Sequence, residues 1–363
     1  MALLWRIYEN LSGYSFSGEL GVRYVTSFAS LMMITSLEEL PFEDRSTMKK
    51  NSMRSIAAVA ALGVGLSLGA PAANAAPTPA PAQAAPAVAS SHLAPFGPAD
   101  PAKLPKPKPG EIHGPNPTAE MLTKQGPYEY KTQKLPVDLR TGFYGGTLYY
   151  PVAKKGEKFG GIVTMPGFTE PGIAMEFFGK RMASHGFVVL RAESLTPFDE
   201  PNVRSRAVEN AMKRLTRGDH KASEILDPER LALIGHSMGG GGVLIAAERN
   251  PQLRAVISLH PWAKRPIFNV KVPVMVNGGL LDFVADMAQY TGPIYAGIQG
   301  APYKALHTHL AGTHWAGIVD DPKLQARNLA FLKYFVDGDT RYAEFLEAPP
   351  QESMTFTSTT GPI

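Results

Sequence analysis

The chain has 363 residues and no cysteine. That absence excludes disulfides, a thiol nucleophile and cysteine-ligated metal sites, although it does not assign a compartment. Charge is sparse as well. Only 19% of residues are charged and the formal net charge is +4. No Lys/Arg-rich run is present, so nothing marks a nucleic-acid partner. The apolar run Ile56 to Gly69 falls short of the ~20 residues of a membrane span, so no stable membrane insertion is expected. No internal repeat is visible. What is plentiful is apolar material, 44% of the chain, enough for a sizeable core. The length suggests one to three domains.

The N-terminal part does not read as a folded domain. Met48-Lys49-Lys50 opens a basic stretch, Ile56 to Gly69 is apolar and uncharged, and Ala73-Asn74-Ala75 is a small-x-small site. This is the pattern of a cleavable secretory signal over residues 48–75. It predicts secretion to the extracellular space, with the periplasm as the alternative. Residues 1–47 then read as an upstream extension from a misjudged start codon. The alternative is a genuine N-terminal segment with the apolar run as an anchor. Residues 76–110, rich in Pro and Ala, have little to bury and are expected to form an extended linker. The folded part is expected over 111–363, a usual size for one α/β domain.

Within that part, strands are expected at Tyr128 to Leu135, Gly146 to Val152, Gly161 to Met165 and Phe187 to Leu190. Further strands follow at Leu231 to Ile234, Ala255 to Leu259, Val272 to Val276 and, last, Ala305 to Leu310. Helical patterns place Met175, Phe178 and Met182 on one face and cover Val203 to Leu215. A final helix begins at Asp321-Pro322 and buries Leu324, Leu332 and Phe335. Strands followed by β-α alternation imply an α/β fold, a mostly parallel sheet with helices on both faces.

The chemistry centres on Gly235-His236-Ser237-Met238-Gly239, which lies between a buried strand and a helical pattern. Strand, Gly-x-Ser-x-Gly, helix is the context of a nucleophile elbow. A serine needs a base, and the base an orienting acid, in the chain order Ser, Asp/Glu, His. His260 precedes any acid loop. His307 and His309 alternate in a strand and read as structural. His314 lies beyond that strand's C-terminal end, where catalytic groups gather in such sheets, and is the expected base. Of the acids between Ser237 and His314, Glu248 falls on the helix after the elbow. Asp282 follows the strand Val272 to Val276 and is the expected partner, with Asp286 as the alternative. The oxyanion donors are expected to be the N–H groups of Met238 and of Phe168.

Met-Pro-Gly-Phe-Thr, Ala-Ser-His-Gly-Phe-Val-Val, Gly-His-Ser-Met-Gly-Gly-Gly-Gly, His-Pro-Trp and Asp-Gly-Asp-Thr-Arg-Tyr occur in this order. Together they resemble the bacterial cutinases and polyethylene terephthalate (PET) hydrolases, from about Gly114 to about Phe345. The resemblance implies an α/β-hydrolase fold, no cofactor and hydrolysis of carboxylic esters, including polyesters. It implies the same triad, Ser237, Asp282 and His314, and the same oxyanion donors. It adds Phe168 and Trp262 as an aromatic pair beside the scissile ester. His236 and Trp315 follow its bulkier cutinase pattern and are expected to line the cleft. Leu280 and Leu310 occupy positions where some members bind calcium, so no metal is expected. A disulfide usual in the family cannot form here. A monomer is expected. Alternatives are a carboxylesterase or lipase for small esters or triglycerides, an acyltransferase, and a non-catalytic surface protein on a hydrolase fold.

Overall fold

The computed structural model describes residues 114–347 and 354–360. The extension, signal and linker read at 1–47, 48–75 and 76–110 lie outside the described residues.

Among the described residues nine strands form one sheet: β1 (Tyr130–Leu135), β2 (Gly146–Pro151), β3 (Phe159–Met165), β4 (Val188–Ala192), β5 (Leu226–His236), β6 (Ala255–Leu259), β7 (Val274–Gly279), β8 (Lys304–His309) and β9 (Met354–Thr360). Their order is β1-β2-β4-β3-β5-β6-β7-β8-β9. From β4 to β8 every pairing is parallel, whereas β1, β2 and β9 are antiparallel additions at the two edges. The central strands are buried on both faces and carry continuous apolar runs, as parallel strands covered by helices must. Alternation assigns their side chains to two cores. Val163, Leu233, Val256 and Val274 enter one; Ile162, Ile234, Ile257 and Met275 enter the other.

The helices close both faces. α1 (Glu176–Ser184) sets Phe178 and Met182 into the second core and stops where Gly186 takes a φ of 87°. α2 (Pro201–Thr216) and α3 (Met238–Arg249) cover the first core. α4 (Pro322–Phe335) covers the second, and the Asp321 carboxylate caps it by accepting from the N–H groups of Lys323 and Leu324. This is the α/β-hydrolase fold. Among the described residues no helix is long and apolar enough to cross a membrane.

Two expectations need correction. β8 is not the last strand, because β9 follows it and pairs antiparallel with it. Its sequence, Met-Thr-Phe-Thr-Ser-Thr-Thr, is mostly threonine, which favours strands, but only Met354 and Phe356 alternate as apolar residues. Nor is α4 the final helix, since a short one follows at Ala343–Glu347.

Candidate active site

The serine is set by its backbone. Ser237 lies between β5 and α3 with φ 53° and ψ −121°, a strained conformation for a residue with a side chain. The flanking glycines are steric necessities. A Cβ on Gly235 would lie 2.2 Å from the Gly239 carbonyl oxygen, and one on Gly239 2.3 Å from that of Met165. The turn is pinned to β6 by the Ser237 N–H donating to the Leu259 carbonyl at 2.9 Å.

Three side chains from three strand ends then meet in a line. Ser237 Oγ is 2.8 Å from Nε2 of His314. Nδ1 of the same ring is 3.1 and 2.9 Å from the two carboxylate oxygens of Asp282. Asp282 follows β7 and His314 follows β8, and their loops are bonded together. The Leu280 N–H donates to the His309 carbonyl and the Leu281 N–H to that of Gly312, each at 3.0 Å. The N–H groups of Val284 and Ala285 donate to Asp282 Oδ1 at 2.9 and 2.7 Å. Asp286 does not join this line. It caps the next turn, accepting from the N–H groups of Ala288 and Gln289. Glu248 bonds Arg265 away from the site.

A fourth side chain was not foreseen. His260 Nδ1 lies 2.8 Å from Asp282 Oδ2, so one carboxylate serves two imidazoles. His260 precedes the acid in the chain, yet adjacency of β6 and β7 in the sheet brings it there. Its backbone φ is 46°. Burial works against the charged form of Asp282, but hydrogen bonds from His260, His314 and the Ala285 amide hold its carboxyl well below the usual carboxylate range. An ionised carboxylate only accepts, so both rings give it their Nδ1–H. Nε2 of His314 is thereby left as a bare acceptor for the serine hydroxyl. Burial lowers the His314 pKa, with Asp282 opposing. Burial pushes His260 down to about 4, also against Asp282. One ligating atom from each of His260, Asp282 and His314 lies within 4.8 Å of the others, the spacing a metal could use. Both imidazoles already give Nδ1–H to the carboxylate, so these contacts are hydrogen bonds.

The second loop of the site follows β3. Gly167 packs on the serine, since a Cβ there would lie 2.8 Å from Ser237 Cβ. Neither the Phe168 N–H nor the Met238 N–H meets an acceptor among the described residues. Two free donors flanking a serine hydroxyl suit an oxyanion. The fully buried Arg204 guanidinium fixes this loop and the next one. It donates to the carbonyls of Pro166, Pro197 and Asp199 at 2.9, 2.9 and 2.8 Å. Its position in the first turn of α2 gives no hint of this.

The aromatic expectations divide. Phe168 is 40% exposed and meets Phe198 edge to face at 5.7 Å. Trp315 is 38% exposed, its ring 5.5 Å from that of His314. The Trp262 backbone N–H donates to the Ser237 carbonyl at 3.0 Å, and the Trp262 ring stacks on Tyr290, a residue not singled out from the sequence. His236 is different. It was expected to line the cleft, but its side chain is 0% exposed and lies beneath it. The cause is Glu170, also unforeseen, whose carboxylate draws the ring inward at 2.7 Å.

Residues 107–361 match the family described as PET hydrolase-like. Cutinase 1 of Thermobifida cellulosilytica is 34% identical over 244 residues, 66% of this chain and 92% of that protein. Cutinase est1 of Thermobifida alba is 36% identical over 247 residues, covering 66% and 82%. The bis(hydroxyethyl) terephthalate hydrolase of Streptomyces coelicolor is 36% identical over 244 residues, covering 67% and 78%. On these grounds the chain belongs to the PET hydrolase-like family of α/β-hydrolases.

Proposed function

We propose that this carboxylic ester hydrolase is a secreted cutinase-like polyesterase that works through an acyl-enzyme on Ser237. The observation that carries the reading is the hydrogen-bonded line from Ser237 Oγ to His314 Nε2 and from His314 Nδ1 to Asp282. The serine Oγ attacks the ester carbonyl while His314 Nε2 takes its proton. Asp282 stabilises the imidazolium and holds the ring's orientation. The N–H groups of Phe168 and Met238 receive the oxyanion. His314 then returns its proton to the departing alcohol, leaving the acyl group on Ser237. Water, activated by the same ring, releases the acid. The elements of this site come from one chain, so the mechanism needs no second copy. A complete nucleophile, base and acid argue against a purely binding role.

The substrate side rests on the relatives and on the rim. The relatives are named as cutinases and as a bis(hydroxyethyl) terephthalate hydrolase. Around Ser237 stand the exposed rings of Phe168 and Trp315 and the half-buried Trp262. In this reading the signal at 48–75 exports the protein, and 111–363 forms the catalytic domain.

One experiment tests both halves. The protein is recovered from the medium of an expressing bacterial host, its N-terminus is sequenced, and it is assayed on a butyrate ester, a triglyceride, cutin and aromatic polyester film. The expected outcome is an N-terminus after Ala75 and acid release from the polymers. Turnover on small esters alone would favour the carboxylesterase alternative. A product retaining Ile56 to Gly69 would refute the export signal.

A further inference from the structure

Glu170 and His236 are buried, take no part in the steps above, and face the machinery from below. Glu170 stands in the loop after β3, next to Thr169, whose φ is 59°. Its Oε2 accepts the Gly167 N–H at 2.6 Å. Its Oε1 lies 2.7 Å from His236 Nδ1, at ion-pair distance but not in line for a hydrogen bond. On the far side of the ring, His236 Nε2–H donates to the backbone carbonyl of His314 at 2.8 Å. One carboxylate and one imidazole therefore join three loops: that of the oxyanion donor Phe168, the elbow itself, and that of the base.

We propose that Glu170 and His236 are a buried positioning pair that fixes the oxyanion loop and the base loop at their working distance from Ser237. This rests on the reading of Ser237 as nucleophile. Neither side chain is open to substrate, so both act through Gly167 and the His314 backbone. The pair also sets charge at the site. The Glu170 carboxylate lifts the buried His236 above the ordinary histidine range, against the burial that opposes it. Burial is likewise overcome at Glu170, which His236 holds below the carboxylate range. The groups facing His236 are Glu170 from the β3 loop, His260 and Asp282 from the β6 and β7 loops, and His314 from the β8 loop. A cation on His236, with its ring 4.9 Å from that of His314, disfavours a second cation there, and this influence exceeds the opposing one of Glu170.

Two variants separate positioning from mere stability. In Glu170→Gln the amide oxygen can still accept from the Gly167 N–H, and its NH₂ stands against a neutral His236 Nδ1 at the same contact. The Gly167 bond and the packing persist while both charges vanish. In Glu170→Ala the bracket is lost. Thermal melting comes first, then kcat, KM and the pH profile on a soluble butyrate ester, at a temperature where each variant is folded. Glu170→Ala is expected to lose on the order of 10- to 100-fold in kcat with little change in KM, the scale of a small misplacement of reacting groups. Glu170→Gln is expected to recover most of that kcat while its acid limb moves to higher pH, because His314 has lost its cationic neighbour. A folded Glu170→Ala within about two-fold of wild-type kcat would overturn the proposal. So would an acid limb in Glu170→Gln that coincides with wild type, and this alone decides if the alanine variant does not fold. Failure of the underlying reading looks different: Ser237→Ala would keep wild-type turnover.

Discussion

The floor of the cleft and its rim are built on opposite principles. The floor is ionic and closed. Glu170, His236, His260 and Asp282 are buried, and each holds a partner across a loop boundary. The rim is apolar and open. Phe168, Phe198, Leu280, Leu281, Phe283 and Trp315 are exposed. No Lys or Arg occurs in residues 278–303 or 310–322, the stretches that follow β7 and β8. A buried charge is costly to leave unpaired, so the floor tolerates little movement. Exposed side chains gain their energy only when something covers them, so the rim acts when a substrate arrives. In the proposed mechanism this difference leaves chemistry to the floor and choice of substrate to the rim.

The comparison is most exposed to test at the floor. His260 is buried behind the triad, holds Asp282 and has no exposure to substrate, so its replacement should harm every ester alike. His260→Ala is expected to lower kcat by on the order of ten-fold on small and large esters, with KM steady, as loss of a hydrogen bond to a charged group implies. An effect confined to one class of substrate would break the division. Because burial keeps His314 below the ordinary histidine value, the acid limb of wild-type activity should lie below pH ~6.5. The sign follows from the mechanism: the neutral ring is the base, and a lowered pKa preserves it further into acid. A limb above that value would contradict the assignment of cause.

Smaller effects are expected at the rim, and they should be selective. Trp262→Ala removes a ring that stacks on Tyr290. Trp315→Ser widens the cleft beside His314. Stacking contributes about 0.5–1.5 kcal/mol beyond area burial, so a ratio of rates should move by a few-fold. The measurement is kcat/KM on a soluble aromatic oligoester relative to that on a butyrate ester. Trp262→Ala should lower the ratio, and Trp315→Ser should shift it while leaving the butyrate rate almost unchanged. If neither variant moves it, the rim does not select the substrate and the small-ester reading gains.

The same division governs what is legible in the sequence. The parallel strands and Gly-x-Ser-x-Gly announce themselves locally, because buried strands carry continuous apolar runs and the elbow demands bare glycines. Asp282 and His314 were legible because chain order and strand ends restrict the choice. Nothing local identifies the floor. Glu170 lies three residues from Gly167 in an ordinary loop. His260 lies before the acid it holds, so an argument from chain order discards it. His236 was misplaced on the rim because the motif fixes where the residue falls and not which way its ring turns. Tyr290 and Arg204 become visible only when the loops and helices are packed. The edge strand β9 is hard to read because two apolar residues in a threonine-rich run carry little periodicity.

The central claim is that Ser237 is the nucleophile of an ester hydrolase, and covalent capture tests it most directly. The protein is treated with a fluorophosphonate, an ester-like reagent that phosphonylates activated serines, and its intact mass and peptide map are measured. The account predicts one adduct, located on Ser237, with loss of esterase activity in proportion to labelling and no adduct in Ser237→Ala. An active protein that stays unlabelled, or one labelled elsewhere with equal loss of activity, would contradict it.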